Sequence, residues 1–171
     1  MNEKLTESFF QREVLEVAPE LLGKIIVRKF NDQYLVKYKI TEVEAYRGTK
    51  DLACHASKGK TKRTEVMFRE GGLVYVYLIY GMYWMLNIVT GNVNEPNAVL
   101  IRGLENISGP GRVGKSLQLD KSFYGESLTS SGRIWIENSN QRIKYHATPR
   151  IGIDYAGEPW IQKPWRFLIR D

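Results

Sequence analysis

The sequence predicts a single domain that combines short helices with β-strands. With 171 residues, the chain is long enough for one sizeable core and short for two. Hydrophobic residues make up 43% and charged residues 26%, which is ordinary for a globular protein. A helical apolar stripe near the N-terminus is followed by stretches rich in β-branched and aromatic residues. Because no repeat or linker-like stretch divides the sequence, we expect one domain over residues 1–171.

The first elements are a helix and two strands. Residues 12–22 carry apolar side chains at helical spacing, and Gly23 is a plausible stop. Pro19 lies inside this segment and is a candidate for breaking it into two short pieces. The segments that follow are predicted as strand, turn and strand: residues 24–30, 31–33 and 34–46.

The second strand carries carboxylates at unusual positions. The alternation that begins at Tyr34 places every second residue on an apolar face. Continued unchanged, this phase adds three residues to that face: Glu42, Glu44 and Tyr46. A carboxylate there is costly unless it is paired, and burial raises its pKa. A bulge after Ile40 would instead turn Val43 and Ala45 inward and both glutamates toward water, and the pattern favours neither alternative.

Residues 73–89 form the most distinctive stretch, LVYVYLIYGMYWMLNIV. It holds no charge, but it is slightly short for a membrane span, which needs roughly 20 apolar residues, and its tyrosines and Asn87 would be costly there. β-Branched and aromatic residues on both sides of Gly81 favour a hairpin instead. Large apolar side chains at an exposed corner usually contact a partner. Three occur at this corner: Tyr80, Met82 and Tyr83.

The remaining segments predict a long loop, further strands and one more helix. Residues 47–69 are expected to form the loop, with at most a short helical turn. A turn at residues 91–96 leads into a buried strand at residues 97–102. The loop at residues 109–111 precedes a short helix at residues 112–119, whose N-terminus is a candidate to face a phosphate. A strand at residues 133–137 and a tail of loops ending in a strand at residues 150–170 complete the prediction.

The charge balance suits a polyanionic partner. Lysine and arginine outnumber aspartate and glutamate by 25 to 19, which gives a net charge of +6. Five of the basic residues fall in one short segment before the hairpin: Lys58, Lys60, Lys62, Arg63 and Arg69. On charge alone, a solvated basic loop is an equally good interpretation. The exposed aromatic residues nearby favour a nucleic-acid surface, where cations neutralise phosphates and rings stack on bases.

Several kinds of site are not indicated by the sequence. One cysteine and two distant histidines give no metal-ligand spacing, and neither phosphate-loop nor nucleophile-elbow motifs occur. We therefore expect neither metal nor cofactor. Because Cys54 is the only cysteine and the first residues lack a signal-peptide core, we expect an intracellular setting. An acidic residue beside aromatic residues on a basic protein fits a hydrolase that uses water directly on a flat, aromatic substrate.

Five ordered blocks carry a resemblance to a known family: TEVEAYRGTKDLACHASKGKTKR, MFREGGLVYVYLIYGMYWMLNIV, AVLIRGLE, GPGRVGKSL and RIGIDYAGEPW. From about residue 19 to residue 170, the chain resembles the alkyladenine (3-methyladenine) DNA glycosylases. The resemblance implies a compact α+β domain with a curved antiparallel sheet, flanking short helices and a protruding hairpin that reads DNA. It also implies a monofunctional enzyme that flips alkylated or deaminated purines from double-stranded DNA and hydrolyses the N-glycosidic bond without cutting the strand.

The resemblance also assigns roles within a base pocket. Glu44 corresponds to the general base, and Arg102 to the residue that helps to hold the attacking water. Tyr46 and Tyr77 correspond to opposite aromatic walls of the pocket. The remaining two pocket residues complete the set: His55, which stacks on and hydrogen-bonds near the flipped nucleotide, and Asn87, which disfavours the amino group of guanine.

On the DNA surface, Tyr80 corresponds to the wedge that fills the gap left by the flipped base, and Met82 and Tyr83 flank it. Arg63 corresponds to a phosphate contact. The chain departs from the family pattern at Thr64, where asparagine is usual, and we expect a weaker local hydrogen bond in that loop. The implied setting is a monomer in the cytoplasm or nucleoid, or in the nucleus of a eukaryote.

Two other function classes compete with this interpretation. A non-catalytic nucleic-acid-binding module would keep the hairpin, but it gains nothing from an inward carboxylate near phosphates. A hydrolase of free purine nucleosides would need neither a wedge nor a basic loop. The sequence does not rank the purines that the resemblance implies as substrates: 3-methyladenine, 7-methylguanine, hypoxanthine and ethenoadenine.

Overall fold

The computed structural model describes residues 2–170, in which antiparallel strands dominate and helices are short. The helices are α1 Glu7–Phe10, α2 Val14–Leu21 and α3 Pro110–Ser116. The strands are β1 Ile25–Asn31, β2 Tyr34–Arg47, β3 Val74–Ile79, β4 Tyr83–Thr90, β5 Asn97–Leu104, β6 Ile107–Ser108, β7 Ile134–Glu137, β8 Tyr145–Thr148 and β9 Arg166–Ile169. Short 3-10 helices lie at His55–Lys58, Glu65–Phe68, Lys121–Phe123, Asp154–Ala156 and Trp160–Gln162.

All the strands belong to one antiparallel sheet. Its main order is β3-β4-β5-β2-β1-β7, while β9 also pairs with β2, β8 pairs with β9, and β6 pairs with β5. The α+β class and the hairpin predicted from the sequence are therefore confirmed. Within residues 2–170, no helix combines the length and the apolarity needed to cross a membrane.

Most predicted elements are present, with two corrections near the helices. Pro19 does not break α2, which continues to Leu21. Four of its residues are fully buried in the core, so packing offsets the one hydrogen bond that proline cannot donate: Val14, Val17, Ala18 and Leu21. The second predicted helix begins at Pro110 instead of residue 112, because proline suits the first turn of a helix.

The long strand β2 joins two parts of the sheet. Its first half pairs with β1, and its second half lies between β5 and β9. Register shifts on both sides of Glu42 mark a bulge at the point where β2 changes partners. Bulges bend a strand and increase its twist, so the sheet changes direction there.

The bulge resolves the two alternatives for the strand phase, although neither was entirely right. Ile40, Val43 and Ala45 all enter the main core, so the phase does change after Ile40. Glu44 nevertheless does not face water, because its exposed fraction is 0%. The opposite face of β2 is covered as well, by the segment after β2 and by the segment around residue 151.

The sheet therefore has two buried faces. On one face, alternate residues of the hairpin and of β5 enter the main core beneath α2 and α3: Val74, Val76, Leu86, Ile88, Val99 and Ile101. The intervening residues lie on the other face, against a smaller cluster built around Tyr75 and Met67. The side chains of chemical interest lie on this second face.

Candidate functional site

The period of two along each strand brings the polar side chains together. Tyr75 on β3 is opposite Asn87 on β4, Asn87 is opposite Leu100 on β5, and Leu100 is opposite Glu44 on β2. These four residues form a row across neighbouring strands, which are spaced about 4.8 Å apart. Arg102 lies two residues beyond Leu100 and therefore projects from the same face.

A cavity of about 680 Å³ lies over this row, which is within the usual size range of small-molecule sites. Seven of the site residues singled out from the sequence line it: Tyr46, His55, Arg63, Tyr77, Tyr80, Asn87 and Arg102. The structure thus places the predicted pocket residues around one space, with Glu44 immediately behind it.

Glu44 is buried and held at both carboxylate oxygens. The Tyr46 hydroxyl donates to Oε1 at 2.8 Å, and the Ile151 backbone N–H donates to Oε2 at 2.6 Å. Burial raises the pKa of Glu44, and the nearby Arg102 charge, the Ile151 N–H and the Tyr46 hydroxyl offset this only in part. The carboxyl group is therefore a stronger base than a solvated glutamate.

Arg102 connects Glu44 to a second carboxylate. Its Nη1 lies 3.6 Å from Glu44 Oε1, while its Nε donates to Glu42 Oε1 at 3.0 Å. The other oxygen of Glu42 accepts from Arg166 Nη2 at 3.0 Å. Two arginines and two glutamates thus form one chain of charges, which reaches the cavity at Arg102.

Aromatic side chains make up one wall of the cavity. The His55 ring meets the Tyr77 ring edge-on at 4.7 Å, and its Nδ1 lies 2.9 Å from the Tyr75 hydroxyl. Burial, with help from Arg63 and Lys58, lowers the pKa of His55 to about 4, so the ring is neutral at pH 7. Burial also raises the pKa of Tyr77 to about 12, which keeps its hydroxyl protonated. This wall is therefore uncharged at neutral pH.

Asn87 has a fixed orientation on the cavity floor. It is almost completely buried, and its amide nitrogen donates to the backbone oxygens of Tyr75 at 3.2 Å and Met85 at 3.5 Å. Because both amide hydrogens have backbone acceptors, the side chain is not free to rotate.

The three residues predicted at the hairpin tip differ in exposure and in position. Tyr80 is 86% exposed and Met82 is 65% exposed, so both project into solvent. Tyr83, in contrast, turns back toward α3, where a Cβ added at Gly111 would lie 3.0 Å from its ring. Only Tyr80 of these three lines the cavity, so the structure does not bring Met82 and Tyr83 to the pocket.

The loop after β2 is ordered by Thr64. Its hydroxyl accepts from Thr61 N at 2.9 Å and donates to the Gly59 carbonyl at 3.0 Å. The hydroxyl thus supplies both a donor and an acceptor, and the weaker local hydrogen bond expected relative to asparagine stays a prediction. Arg63 next to it is exposed and lies 5.0 Å from the centre of the Tyr77 ring.

The sequence reasoning missed a buried ion pair that supports the site. Arg150 and Asp51 bond through two contacts, at 2.7 and 3.0 Å, and Arg150 also donates to the Ala45 carbonyl at 3.0 Å. The guanidinium lies over the ring of Tyr46. This pair ties the loop after β2 to the segment that presents Ile151 N–H to Glu44. The separation of 99 residues along the chain hid the pair from sequence patterns.

Tyr75 was also missed, although a signal was present. It lies two residues before Tyr77 and therefore on the same face of β3. Once the resemblance assigns Tyr77 to the pocket, alternation along β3 would have identified Tyr75 as well. Within residues 2–170, no group of three or more His, Cys, Asp or Glu side chains is placed to hold a metal ion.

The chain is similar to known proteins over nearly its whole length. Residues 8–171 match the family described as methylpurine-DNA glycosylase. A relative from Natranaerobius thermophilus is 40% identical, and the match covers 98% of this chain and 96% of the relative. A relative from Sodalis glossinidius is 46% identical over 97% of this chain and 96% of its own length. A relative from a Wolbachia of Brugia malayi is 47% identical over 98% of both chains. All three carry the provisional name 3-methyladenine DNA glycosylase.

Proposed function

The chain belongs to the methylpurine-DNA glycosylase family, and from this premise we propose that it excises damaged purines from double-stranded DNA. The enzyme would hydrolyse the N-glycosidic bond and leave an abasic site. We propose that the chain forms one glycosylase domain and acts as a monomer inside the cell. The observation that carries the proposal is that Glu44 lies behind, and Arg102 lines, a cavity with one uncharged aromatic wall, beside an exposed tyrosine.

Glu44 would act as the general base. In the proposed reaction, the bond between the sugar and the purine breaks, and its electron pair leaves with the purine. A water oxygen bonds to the sugar carbon, and its proton passes to the Glu44 carboxylate. A buried carboxylate also stabilises the positive charge that develops on the sugar. Arg102, whose Nη1 lies 3.6 Å from Glu44 Oε1, would help to orient that water.

Tyr46, Tyr77 and His55 would hold the purine. Flat aromatic faces bind flat rings, and their negative π-faces favour electron-poor or cationic purines. Since His55 is neutral at pH 7, it would not repel a cationic alkylated base. An alkylated purine that carries a positive charge leaves as a neutral base, so this chemistry would contribute to selection.

Asn87 would add selection by shape. Its amide is anchored to two backbone carbonyls and has almost no freedom to move. A rigid polar group on the floor would obstruct an extra amino group such as the one on guanine. We therefore propose that undamaged guanine is disfavoured by steric conflict with Asn87.

Tyr80 would keep the base outside the helix. Extruding a base costs a few kcal/mol, and the cost is smaller at a lesion that already weakens pairing. A side chain inserted from the minor groove offsets part of this cost by restoring stacking. The exposed ring of Tyr80 at the edge of the cavity suits this task.

Base release from defined duplexes tests the proposal. Four duplexes would each carry one lesion, 3-methyladenine, 7-methylguanine, hypoxanthine or ethenoadenine, beside an undamaged duplex. We expect release from at least one lesion and none from undamaged DNA. Because general base catalysis typically contributes about 10²–10⁴-fold, Glu44→Gln should slow single-turnover release by at least about 100-fold while lesion binding persists.

The matched control is Glu126→Gln, which removes a carboxylate that pairs with Arg133 outside the cavity. This variant should excise at the wild-type rate. Near-normal release of the purine by Glu44→Gln would show that Glu44 is not the general base. No release from any lesion by the wild type would overturn the proposed activity.

A further inference from the structure

Glu42 occupies a position that the proposed mechanism leaves unexplained. It lies at the bulge of β2, opposite Gly103 on β5, with register shifts on both sides. A Cβ added at Gly103 would lie 3.2 Å from the Glu42 Cβ, so the absence of a side chain there makes room for the carboxylate. Glu42 is largely shielded, with a side-chain exposure of 18%, and the same is true of Arg102 and Arg166 at 14% and 20%.

The distances show that Arg102 is bound more closely to Glu42 than to Glu44. Arg102 Nε lies 3.0 Å from Glu42 Oε1, whereas its Nη1 lies 3.6 Å from Glu44 Oε1. Arg166, which faces Glu44 across the β2–β9 pairing, is likewise bound to Glu42, at 3.0 Å. Arg102 and Arg166 are thus each bound at 3.0 Å by Glu42, a different carboxylate from Glu44.

The other groups around Glu44 are a third arginine and three hydroxyls, and of these Arg150 and Tyr46 lower the pKa of Glu44. Arg150 faces it from the segment after β8, but Asp51 holds that guanidinium through two contacts. The hydroxyls that face Glu44 come from three elements and are neutral at pH 7: Tyr46, Tyr77 and Tyr155. Arg102 and Arg166 are therefore the cations around Glu44 that Asp51 does not hold, and Glu42 binds both of them.

We propose that Glu42 is a positioning residue that holds Arg102 in place and neutralises part of its charge, so that Glu44 remains a strong base. Without the Glu42 charge, two arginines would face a single carboxylate, and Glu44 would hold its proton less tightly. Residues i and i+2 of a strand are roughly 7 Å apart, a distance at which one charge in partly shielded surroundings changes a pKa by about one unit. The consequence for excision rests on the proposed function, whereas the consequence for Glu44 titration does not.

Two variants with opposite expected signs test the proposal. The single-turnover rate on a duplex with one lesion that the wild type excises would be measured against pH. With Glu42→Gln, the acid limb should move to lower pH by about one unit, because two positive charges then favour the ionised form of Glu44. With Arg166→Gln, the limb should move to higher pH, because Glu42 then neutralises Arg102 more fully. Glu42→Asp keeps the charge and should restore a limb close to that of the wild type.

A direct titration of Glu44 tests the effect on its protonation separately from the effect on excision. The carboxyl carbon of Glu44, labelled with ¹³C and assigned by its loss in Glu44→Gln, would be followed against pH by NMR in DNA-free protein. We expect the Glu44 titration to move to lower pH in Glu42→Gln and to higher pH in Arg166→Gln. Glu126→Gln is a control that should leave the Glu44 titration unchanged. If Glu42→Gln leaves the titration unchanged or moves it to higher pH, the proposal is wrong. If the titrations shift as expected but the wild type releases no base, only the proposed function fails.

Discussion

Tyr80 combines two features that packing alone does not explain. Its φ angle is +52°, Gly81 follows with φ +66°, and Met82 N–H donates to the Ile79 carbonyl at 3.1 Å. A turn with two left-handed residues favours asparagine and glycine, and a tyrosine there costs about 1–2 kcal/mol. The ring gains nothing in return from burial, since it is 86% exposed. A strained residue that is kept at an exposed position is best explained by contact with a ligand.

Removing this ring should weaken lesion binding without harming the fold. Stacking of a base on an aromatic side chain contributes about 1–3 kcal/mol, so Tyr80→Ser should lower affinity for lesion DNA by about tenfold. Equilibrium binding to a lesion duplex, measured with a Glu44→Gln background to prevent turnover, gives this value.

Tyr80→Asn provides the control for stability, because asparagine accepts the left-handed conformation readily. It should lose the same affinity while its free energy of unfolding equals or exceeds that of the wild type. Unchanged affinity in both variants would rule out the wedge role of Tyr80.

At the scale of elements, the hairpin is braced by α3. A Cβ added at Gly114 would lie 1.9 Å from the Trp84 carbonyl oxygen, and one added at Gly111 would lie 3.0 Å from the Tyr83 ring. The helix therefore rests directly on the backbone of β4. This close packing sets the direction in which the tip of the hairpin projects.

Gly114→Ala should consequently reverse the usual effect of this substitution. In a helix, glycine to alanine normally stabilises by about 1 kcal/mol. Here the added methyl group must displace the backbone of β4, so we expect destabilisation by about 1–3 kcal/mol. Denaturant unfolding measures the change, and weaker binding of lesion DNA should accompany it if the hairpin shifts.

Gly132→Ala is the matched control, because no atom lies within 4 Å of the position where its Cβ would be. That variant should unfold with nearly the same free energy as the wild type. Equal stability of the two variants would contradict the bracing role of α3.

The elements also show how far the sequence can predict this structure. Strands such as β2 and the hairpin follow from alternation and turn residues that lie close together in the chain. The strand β6 contains two residues, too few to show a period, and three of the four residues of β8 are exposed, so burial imposes no pattern on them. The bulge in β2 was a considered alternative, but the pattern did not reveal that both faces are covered. The segments that cover the second face of β2 are distant in the chain, so no local sequence pattern predicts them.

The residues of the site also differ in how far the sequence predicts them. Glu44, Tyr46 and Tyr77 were identified through the resemblance, because the alternation along β2 left the face of Glu44 and Tyr46 open. Asp51 and Arg150 stayed hidden because their pairing depends on how two loops meet. Glu42 was noticed only as a residue of uncertain face, and its link to Arg102 required the register of β2 against β5.

At the scale of the whole molecule, the basic loop lies beside the cavity. Its cationic side chains are exposed, and two of them line the cavity rim: Lys58 and Arg63. Among residues 2–170, Lys58, Lys60 and Lys62 make no ion pair with an acidic residue. Their charge is therefore available for phosphates on either side of a nucleotide held in the cavity.

Affinity for DNA should accordingly fall steeply with salt. Each phosphate neutralised contributes a slope of about −0.9 to the dependence of log K on log salt concentration. Replacing Lys60 and Lys62 together by glutamine should reduce the magnitude of that slope by up to about two. Both residues lie outside the cavity lining, so the excision rate of bound lesion at saturating enzyme should remain close to that of the wild type.

Lys29→Gln provides the control, because Lys29 lies on β1, two strands away from β5 in the sheet, and pairs with Asp32. It should leave the slope unchanged. Measurement of affinity for lesion and undamaged duplexes at four or more salt concentrations gives the slopes. Because phosphate contacts do not read the base, the double variant should weaken binding to both duplexes by the same factor. A loss confined to the lesion duplex would instead place these lysines at the flipped nucleotide and contradict a role in contacting the DNA backbone.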